Sequence, residues 1–252
     1  MHNESRGGKE GQDTLNRVAR AIYKRLGLIH LGKRRVRDIV DFIEDREIDV
    51  VIDVGANTGQ FGRSLRAGGY RGRIVSFEPI ASAFQVLSKA AAEDGNWEVH
   101  ECGLGAASGT ARLNVSELSV SSSILDSTSI ASLHDRRVAV DHIEEISIRT
   151  LDEVAAGIFG KILLKVDTQG YERQVIEGGR QTVARVSGVL LELPIIHVYE
   201  GVWQFHEAIK FMDEAGFVPA QILPVGYHSV DNVSAVEFDC LFRPRSHVDL
   251  AF

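Results

Sequence analysis

Apolar and polar positions alternate along this chain with two periods. Short runs of consecutive apolar residues, each ended by glycine, proline or a charge, read as buried strands at 50–54, 73–78, 97–101, 161–166 and 186–193. Between them the apolar positions fall at helical spacing. This predicts helices at about 59–68, at about 80–93 after Pro79, at 171–177 closed by Gly178-Gly179, and at 202–215 stopping at Gly216. Strands alternating with helices of this length predict βαβ units, hence a parallel sheet with right-handed crossovers and helices on both faces. Two last strands, 217–223 and 235–242, have no helix between them and predict an antiparallel hairpin at one sheet edge; their loop carries Gly226, Tyr227 and His228. Leu15, Val18, Ala19, Ile22 and Leu26 predict a helix at 14–27, and Val36, Ile39, Val40 and Ile43 a second at about 33–47.

The regularity breaks at 104–148. That stretch reads as a short hairpin around Ser108-Gly109, a strand-like 111–115, a serine-rich run at 119–124, and a polar segment with His134, Asp135, Arg136 and Arg137. A segment this long between core strands is uncommon unless it serves function, so it reads as an insertion shaping the substrate side. The alternation resumes with a strand at 145–149 and a short helix from Leu151. The expected organisation is a tail at 1–13, a helical extension at 14–47, and an α/β domain at 48–245.

Composition narrows the class. A chain of 252 residues with 44% hydrophobic and 25% charged residues is long enough for one large α/β domain. A net charge of −7 argues against a general nucleic-acid binder, which needs a basic footprint. Cys102 and Cys240 form no C-x-x-C pair and suggest a reducing compartment. No apolar stretch reaches membrane-spanning length, and 1–13, polar and glycine-rich, reads as disordered rather than as a signal peptide, so a cytoplasmic location is expected. Lys24, Arg25, Lys33, Arg34, Arg35 and Arg37 make the extension locally basic; a solvated face is the plainer reading, peripheral contact with an anionic membrane or substrate the alternative. A homodimer stays open.

The candidate chemistry gathers at VVIDVGANTGQFG, residues 50–62. Glycines directly after a strand let the backbone turn tightly and approach a ligand. The pattern is D-x-G-x-N-x-G, not the G-x-G-x-x-G of dinucleotide sites. Glu78, nineteen residues after Gly59, ends the second strand, where a carboxylate can accept both hydroxyls of a ribose. Ligands of open parallel sheets bind beyond the carboxyl ends of the strands, where Asp53, Glu78, Glu101, Asp167 and Glu192 fall. So many carboxylates would repel a dinucleotide's phosphates but tolerate a cationic nucleoside. S-adenosylmethionine, with a sulfonium and no phosphate, is preferred over NAD on that ground. A nicotinamide-dependent oxidoreductase on a similar sheet is the rival reading, weakened by the missing third glycine and the lack of a Tyr-x-x-x-Lys pair. A non-catalytic nucleoside-binding scaffold is another.

VIDVGANTGQFG, then VSFEP at 75–79, then LLKVDTQGYERQVIEGG at 163–179 resembles the FkbM family of S-adenosylmethionine-dependent methyltransferases. SSSIL at 121–125 and the LEL, Tyr199, Gly201 region are similar too, so the likeness runs from about 48 to 242. The resemblance implies a Rossmann-like class I methyltransferase fold, a seven-stranded mostly parallel sheet with one antiparallel edge strand. It implies methyl transfer to a hydroxyl of a sugar, glycolipid or polyketide-type natural product. It also implies a cofactor shell. Asp53, Gly55, Ala56, Asn57, Gly59 and Phe61 surround the methionine part, Glu78 and Pro79 lie at the ribose, and Cys102, Gly103 and Leu104 at the adenine. Asp167 adjoins both cofactor and acceptor. Many relatives carry Asp-x-Glu-Gly where this chain has Asp167-Thr168-Gln169-Gly170, and the neutral Gln169 weakens any role needing a second carboxylate there.

A sugar hydroxyl does not ionise at neutral pH unaided, so a base or a metal is expected. Asp167, Glu192 and His197 are the candidates; His134 and His228 fall in loops, where surface histidines are common. A magnesium route would need two or three of Asp167, Glu192 and His197 to converge. Cys102 reads as a small buried hydrophobe. Ser121–Ser123 suit either a polyol contact or a plain loop. Tyr199, Trp203 and Tyr227 could stack on a sugar ring, with core packing at least as good a reading for Trp203.

Overall fold

The apolar runs pair side by side because each is too hydrophobic to leave either face in water. In the computed structural model, residues 28–116, 122–125, 140–195, 201–227 and 233–246 are described, with side chains from residue 35 onward. The strands are β1 (Val50–Val54), β2 (Arg73–Phe77), β3 (Trp97–His100), β4 (Gly103–Leu104), β5 (Gly109–Ser116), β6 (Val140–Arg149), β7 (Ile162–Val166), β8 (Gly188–Pro194), β9 (Phe217–Tyr227) and β10 (Ala235–Pro244). The helices are α1 (Leu28–Asp45), α2 (Gln60–Ala67), α3 (Ala81–Ala92), α4 (Leu151–Ala155), α5 (Glu172–Glu177), α6 (Arg180–Val183) and α7 (Phe205–Glu214).

Seven strands form one sheet in the order β3-β2-β1-β7-β8-β10-β9. β1 pairs parallel with both β2 and β7, so the strand order reverses beside it. β10 runs antiparallel to β8 and β9, which places the antiparallel strand one position in from the edge and β9 outermost. Alternate side chains of the central strands feed two cores. On one face Ile39, Phe42 and Ile43 of α1, Leu65 of α2 and Leu87 of α3 pack over Val51, Leu163, Leu190 and Leu241. On the other, Leu151, Val175, Val183 and Met212 from α4, α5, α6 and α7 cover Ile52, Val54, Leu164, Val166 and Leu191. The seven-stranded Rossmann-like architecture expected from the sequence is the one observed.

Several expectations change. The strand at 145–149 belongs to the ten-residue β6, which leaves the main sheet and joins a three-stranded one in the order β4-β6-β5. β4 and β5 lie on opposite sides of β6, so no hairpin forms at Ser108-Gly109. The residues give the reason. β5 and β6 alternate, burying Leu113, Val115, Ile146 and Ile148 against Ile80 and Ala83 of the α3 region. A central strand of the main sheet must be apolar on both faces; these are apolar on one. The helix expected at 14–27 lies outside the described residues, and the one expected at about 33–47 spans Leu28–Asp45. Gly226 and Tyr227 sit at the end of β9 rather than in a loop. Among the described residues no helix is long and apolar enough to cross a membrane.

Arg66 shows how the sheet's outer connections are held. Its guanidinium donates to both Asp94 oxygens, at 2.6 and 3.1 Å, and to the carbonyls of Tyr70, Gly72 and Asn96. One side chain thus ties α2 to the α3–β3 connection, in the fork geometry lysine cannot supply. Arg66→Ala should lower unfolding stability by about 2 kcal/mol in urea denaturation; a loss below about 0.5 kcal/mol, the ordinary range for surface positions, would deny the network that role.

Candidate active site

The site is built where the strand order reverses. On the face covered by α1, Val51, Leu163, Leu190 and Leu241 form an apolar layer across four adjacent strands. Toward the carboxyl ends of the parallel strands the same face carries a polar layer two steps deep: Asp53 lies opposite Lys165, whose level continues to Leu190 and Leu241, and Glu192 lies opposite Asp239 of the antiparallel β10 on the next. The strand period of two puts these side chains on one face once the register is set.

Lys165 holds the layer together. Its ammonium, on a residue only 6% exposed, lies 3.0 Å from Asp53 Oδ1 and 3.5 Å from Asp167 Oδ2 and donates to the Gly55 carbonyl at 2.9 Å. Asp53, with no exposed surface, accepts at its other oxygen from Ser76 Oγ at 3.3 Å, and Ser76 accepts from Trp97 Nε1 at 3.0 Å. Burial works against the Lys165 charge, but Asp53 and Asp167 outweigh it and push the ammonium's pKa up. Burial likewise opposes ionisation of Asp167; Lys165, then hydrogen bonds from Glu192 and Gln169, hold it below the usual carboxylate range. Glu192 goes the other way, raised well above that range by burial and by the Asp167 and Glu237 charges. The two carboxyls are coupled, so the charge on Asp167 makes Glu192 harder to ionise. The Gln169 amide lies between them, donating to Asp167 Oδ1 at 3.1 Å and Glu192 Oε2 at 3.0 Å.

The turn after β1 faces this layer. Gly55 has φ +73° and passes so close to β7 that a Cβ there would lie 1.8 Å from the Asp167 carbonyl oxygen. Only glycine meets both demands. The Asn57 N–H donates to Glu78 Oε2 at 2.7 Å and the Ile80 N–H to Glu78 Oε1 at 2.8 Å, so Glu78 fastens this turn to the start of α3. Burial pushes Glu78 up to about 7 against those two donors. Glu172 plays the same fastening part at the turn after β7, accepting from the Thr168 and Gly170 N–H groups.

A cavity of about 530 Å³ opens over these elements, within the range of small-ligand sites. Gly55, Ala56, Asn57 and Phe61 line it from the first turn, Glu78 and Pro79 from the second, Gly103 and Leu104 from β4, and Asp167 and Glu192 from the strand ends. The sequence had placed all of these at a site, and the fold brings them together. Others it places elsewhere. Asp53 lies beneath the floor, paired with Lys165. Gly59, at φ +84°, opens α2 and fits against Leu87 and Trp97, where a Cβ would meet atoms at 3.0–3.3 Å. Cys102 is buried in the main core, its thiol pushed up by burial, and is not among the lining residues. Glu101 is exposed and does not join the carboxylates. Trp203 packs against Phe211 in the core. Ser122 lines the cavity, while Ser123 donates to the Gln169 carbonyl at 2.8 Å and ties the insertion to the site. Ser121, His134, His197, Tyr199 and His228 lie outside the described residues.

Three contributors escaped the sequence reading: Lys165, Glu237 and the Arg35–Asp239 ion pair linking α1 to β10. A signal existed for the first two. A lone lysine inside the apolar run ILLKV needs a buried partner, and Glu237 and Asp239 alternate in AVEFDCLF.

Among the described residues, the expected magnesium ligands do not suit the ion: Asp167 faces the Lys165 ammonium and the Gln169 amide, and Glu192 faces that same amide, all donors, while His197 lies outside the described residues. Among the described residues no three His, Cys, Asp or Glu side chains stand together as ligands.

A nucleoside-sized cavity at the switch point of a seven-stranded sheet, floored by a glycine turn and an acidic strand end, defines a Rossmann-like transferase of the methyltransferase class. Residues 53–219 match the methyltransferase FkbM domain. The chain belongs to that family of S-adenosylmethionine-dependent methyltransferases, as the motifs had implied. No curated protein matches it. Similar solved structures include magnesium protoporphyrin IX methyltransferase from Synechocystis PCC 6803, with bound SAM, at 9% identity and TM-score 0.47, covering 85% of this chain and 80% of that one. Another is the 1,6-didemethyltoxoflavin-N1-methyltransferase of Burkholderia thailandensis, at 11% identity and TM-score 0.46, covering 98% and 94%. A third is the precorrin-6y C5,15-methyltransferase of Geobacter metallireducens GS-15, at 10% and 0.46, covering 84% and 88%.

Removing Lys165 should be costly because Asp53 cannot reach water. Lys165→Ala should lower urea-unfolding stability by about 3–5 kcal/mol, the loss expected for an orphaned buried charge. Adding Asp53→Asn should recover part of it, since a neutral amide tolerates burial better. A double variant no more stable than the single would show that the lysine acts by packing alone.

Proposed function

We propose that this chain transfers a methyl group from S-adenosylmethionine to a hydroxyl of a sugar, glycolipid or polyketide-type acceptor. The observation that carries the donor side is the charge of the cavity. Lys165 is turned into the floor against Asp53, while Glu78, Asp167, Glu192 and Glu237 line the walls. Such a lining favours a ligand with a cationic sulfur and no phosphate. Gly55 leaves the room a side chain would fill, Glu78 offers acceptors to ribose hydroxyls, and Ile80 and Leu104 give apolar contact for a base. When bound, the donor supplies an electrophilic methyl carbon; the chain must align the acceptor and accept its proton. Oxygen as the acceptor atom is supported by the family resemblance, and a small molecule or glycan rather than nucleic acid by the net charge of −7.

The three-stranded sheet and α1 form the acceptor wall in this reading. Leu113, Ser122 and Ile124 face the cavity from one and Arg35, Val36 and Ile39 from the other. Their cavity-facing residues stand apart from the turns after β1 and β2 that would hold the donor, so acceptor choice can vary with little change there.

Calorimetric titration with S-adenosylhomocysteine is the direct test. Micromolar binding, unchanged by magnesium, is expected; no binding, with NADH binding instead, would overturn the reading in favour of an oxidoreductase. Glu78→Ala should weaken S-adenosylhomocysteine by about tenfold to a hundredfold, the worth of a charge-assisted hydrogen-bonded contact. Because Glu78 also fastens two backbone N–H groups, the variant's unfolding curve should be recorded beside the titration. Wild-type affinity in a folded variant would remove the ribose assignment.

A further inference from the structure

Methyl transfer to a hydroxyl needs a group that can take its proton, and the site holds four carboxylates lining one cavity. Three are engaged. Glu78 accepts from the Asn57 and Ile80 N–H groups. Asp167 faces Lys165 and Gln169, and Glu192 accepts from Gln169. The carboxylate of the fourth, Glu237 of β10, has no hydrogen bond or ion pair to any described residue, although the residue is half-buried. Its backbone is also unusual: the pairing of β10 with β9 shifts register on both sides of it, between Ala235 and Glu237 and again between Glu237 and Phe238. Bulges of this kind re-aim side chains beside active sites.

We propose that Glu237 is the catalytic base that takes the proton from the acceptor hydroxyl. The step balances simply. The acceptor O–H bond gives its proton to the Glu237 carboxylate, and the oxygen's electron pair forms the new bond to the methyl carbon. The carbon–sulfur bond breaks with its pair left on sulfur, turning the sulfonium into a neutral thioether. Glu237 then loses its proton to solvent.

The surroundings suit the task. Glu237 is faced by Asp167 after β7, Glu192 on β8, Asp239 on its own strand, Glu172 on α5 and Arg35 on α1. Burial first, then the Asp167 and Asp239 charges, raise it to about 7, with Arg35 opposing. A base with that affinity is ionised near neutral pH yet strong enough to accept a proton in the transition state. Asp167, held low by Lys165, is the weaker base, and Glu192 and Asp167 are both engaged by the Gln169 amide.

This assignment rests on the hydroxyl-methyltransferase reading, and two measurements separate its failure from the failure of that reading. The first needs no acceptor. In full-length protein labelled with [5-¹³C]glutamate and bound to S-adenosylhomocysteine, Glu237 should give a carboxyl resonance titrating near neutral pH that is lost in Glu237→Gln, distinct from that of Glu78, which burial also raises to about 7 and which is lost instead in Glu78→Gln. A wild type with no such resonance, or one whose near-neutral resonances all persist in Glu237→Gln, would overturn the proposal whatever the acceptor is. The second measures S-adenosylhomocysteine release from S-adenosylmethionine against a panel of methyl glycosides and aliphatic polyols. Wild-type turnover should fall as pH drops below about 7, where Glu237 becomes protonated. Glu237→Gln should keep S-adenosylhomocysteine affinity within about threefold and lose about 10²–10⁴-fold in turnover, while Glu237→Asp regains part of the activity with a shifted pH profile. Equal turnover in wild type and Glu237→Gln would overturn the base. A wild type that binds S-adenosylhomocysteine and methylates none of the panel would instead count against the hydroxyl acceptor, with the carboxyl titration still deciding Glu237.

Discussion

A single buried ammonium governs the architecture of the site. Lys165 stands where β1 and β7 diverge, and its contacts to Asp53, the Gly55 carbonyl and Asp167 bind the two strand ends into one rigid edge. Without that cation Asp53 would be an isolated carboxylate in the core, an arrangement proteins avoid by neutralising the group. With it, Asp167 is held low, while burial and the neighbouring carboxylates push Glu192 up. The charge balance of the cavity thus turns on one side chain on one strand.

The same clamp explains the glycine turn. The close pass of Gly55 over the Asp167 carbonyl is possible only because β1 and β7 are locked in register. The Gly55 carbonyl in turn is spent on Lys165, and the Asn57 N–H is fastened by Glu78. A turn held at both ends is a preorganised surface for a ligand, so little ordering cost remains at binding. Beyond the clamp, α1 is anchored by Ile39, Phe42 and Ile43 in the core and by the Arg35–Asp239 ion pair, and the small sheet by its packing on Ile80 and Ala83 and by the Ser123–Gln169 hydrogen bond.

Much of the fold could be read from residue order alone. The runs at β1, β2, β7 and β8 were legible because a strand buried on both faces leaves no choice but continuous apolar sequence. The acceptor-side sheet was misread for the opposite reason. Its strands bury one face, and an alternating pattern at 145–149 does not say which sheet it joins. At the site, Gly55, Asn57 and Glu78 were legible because turn geometry and strand ends mark them locally. Cys102 and Gly59 were assigned to a ligand by position along the chain; in space they face the core, Trp97 and Leu87.

By itself, then, the sequence determined the class of fold and the family, because those depend on local rules: apolar period, glycine turns and the residue ending each strand. The tertiary structure alone decided the charges. Which carboxylate meets Lys165, which pair meets the Gln169 amide, and which is left without a donor are set by register between strands far apart in the chain. Asp53, Lys165, Glu192 and Asp239 span almost two hundred residues yet form one layer on one face. Electrostatic interactions depend on distance in space and on depth from water, and neither quantity is written in the order of the residues.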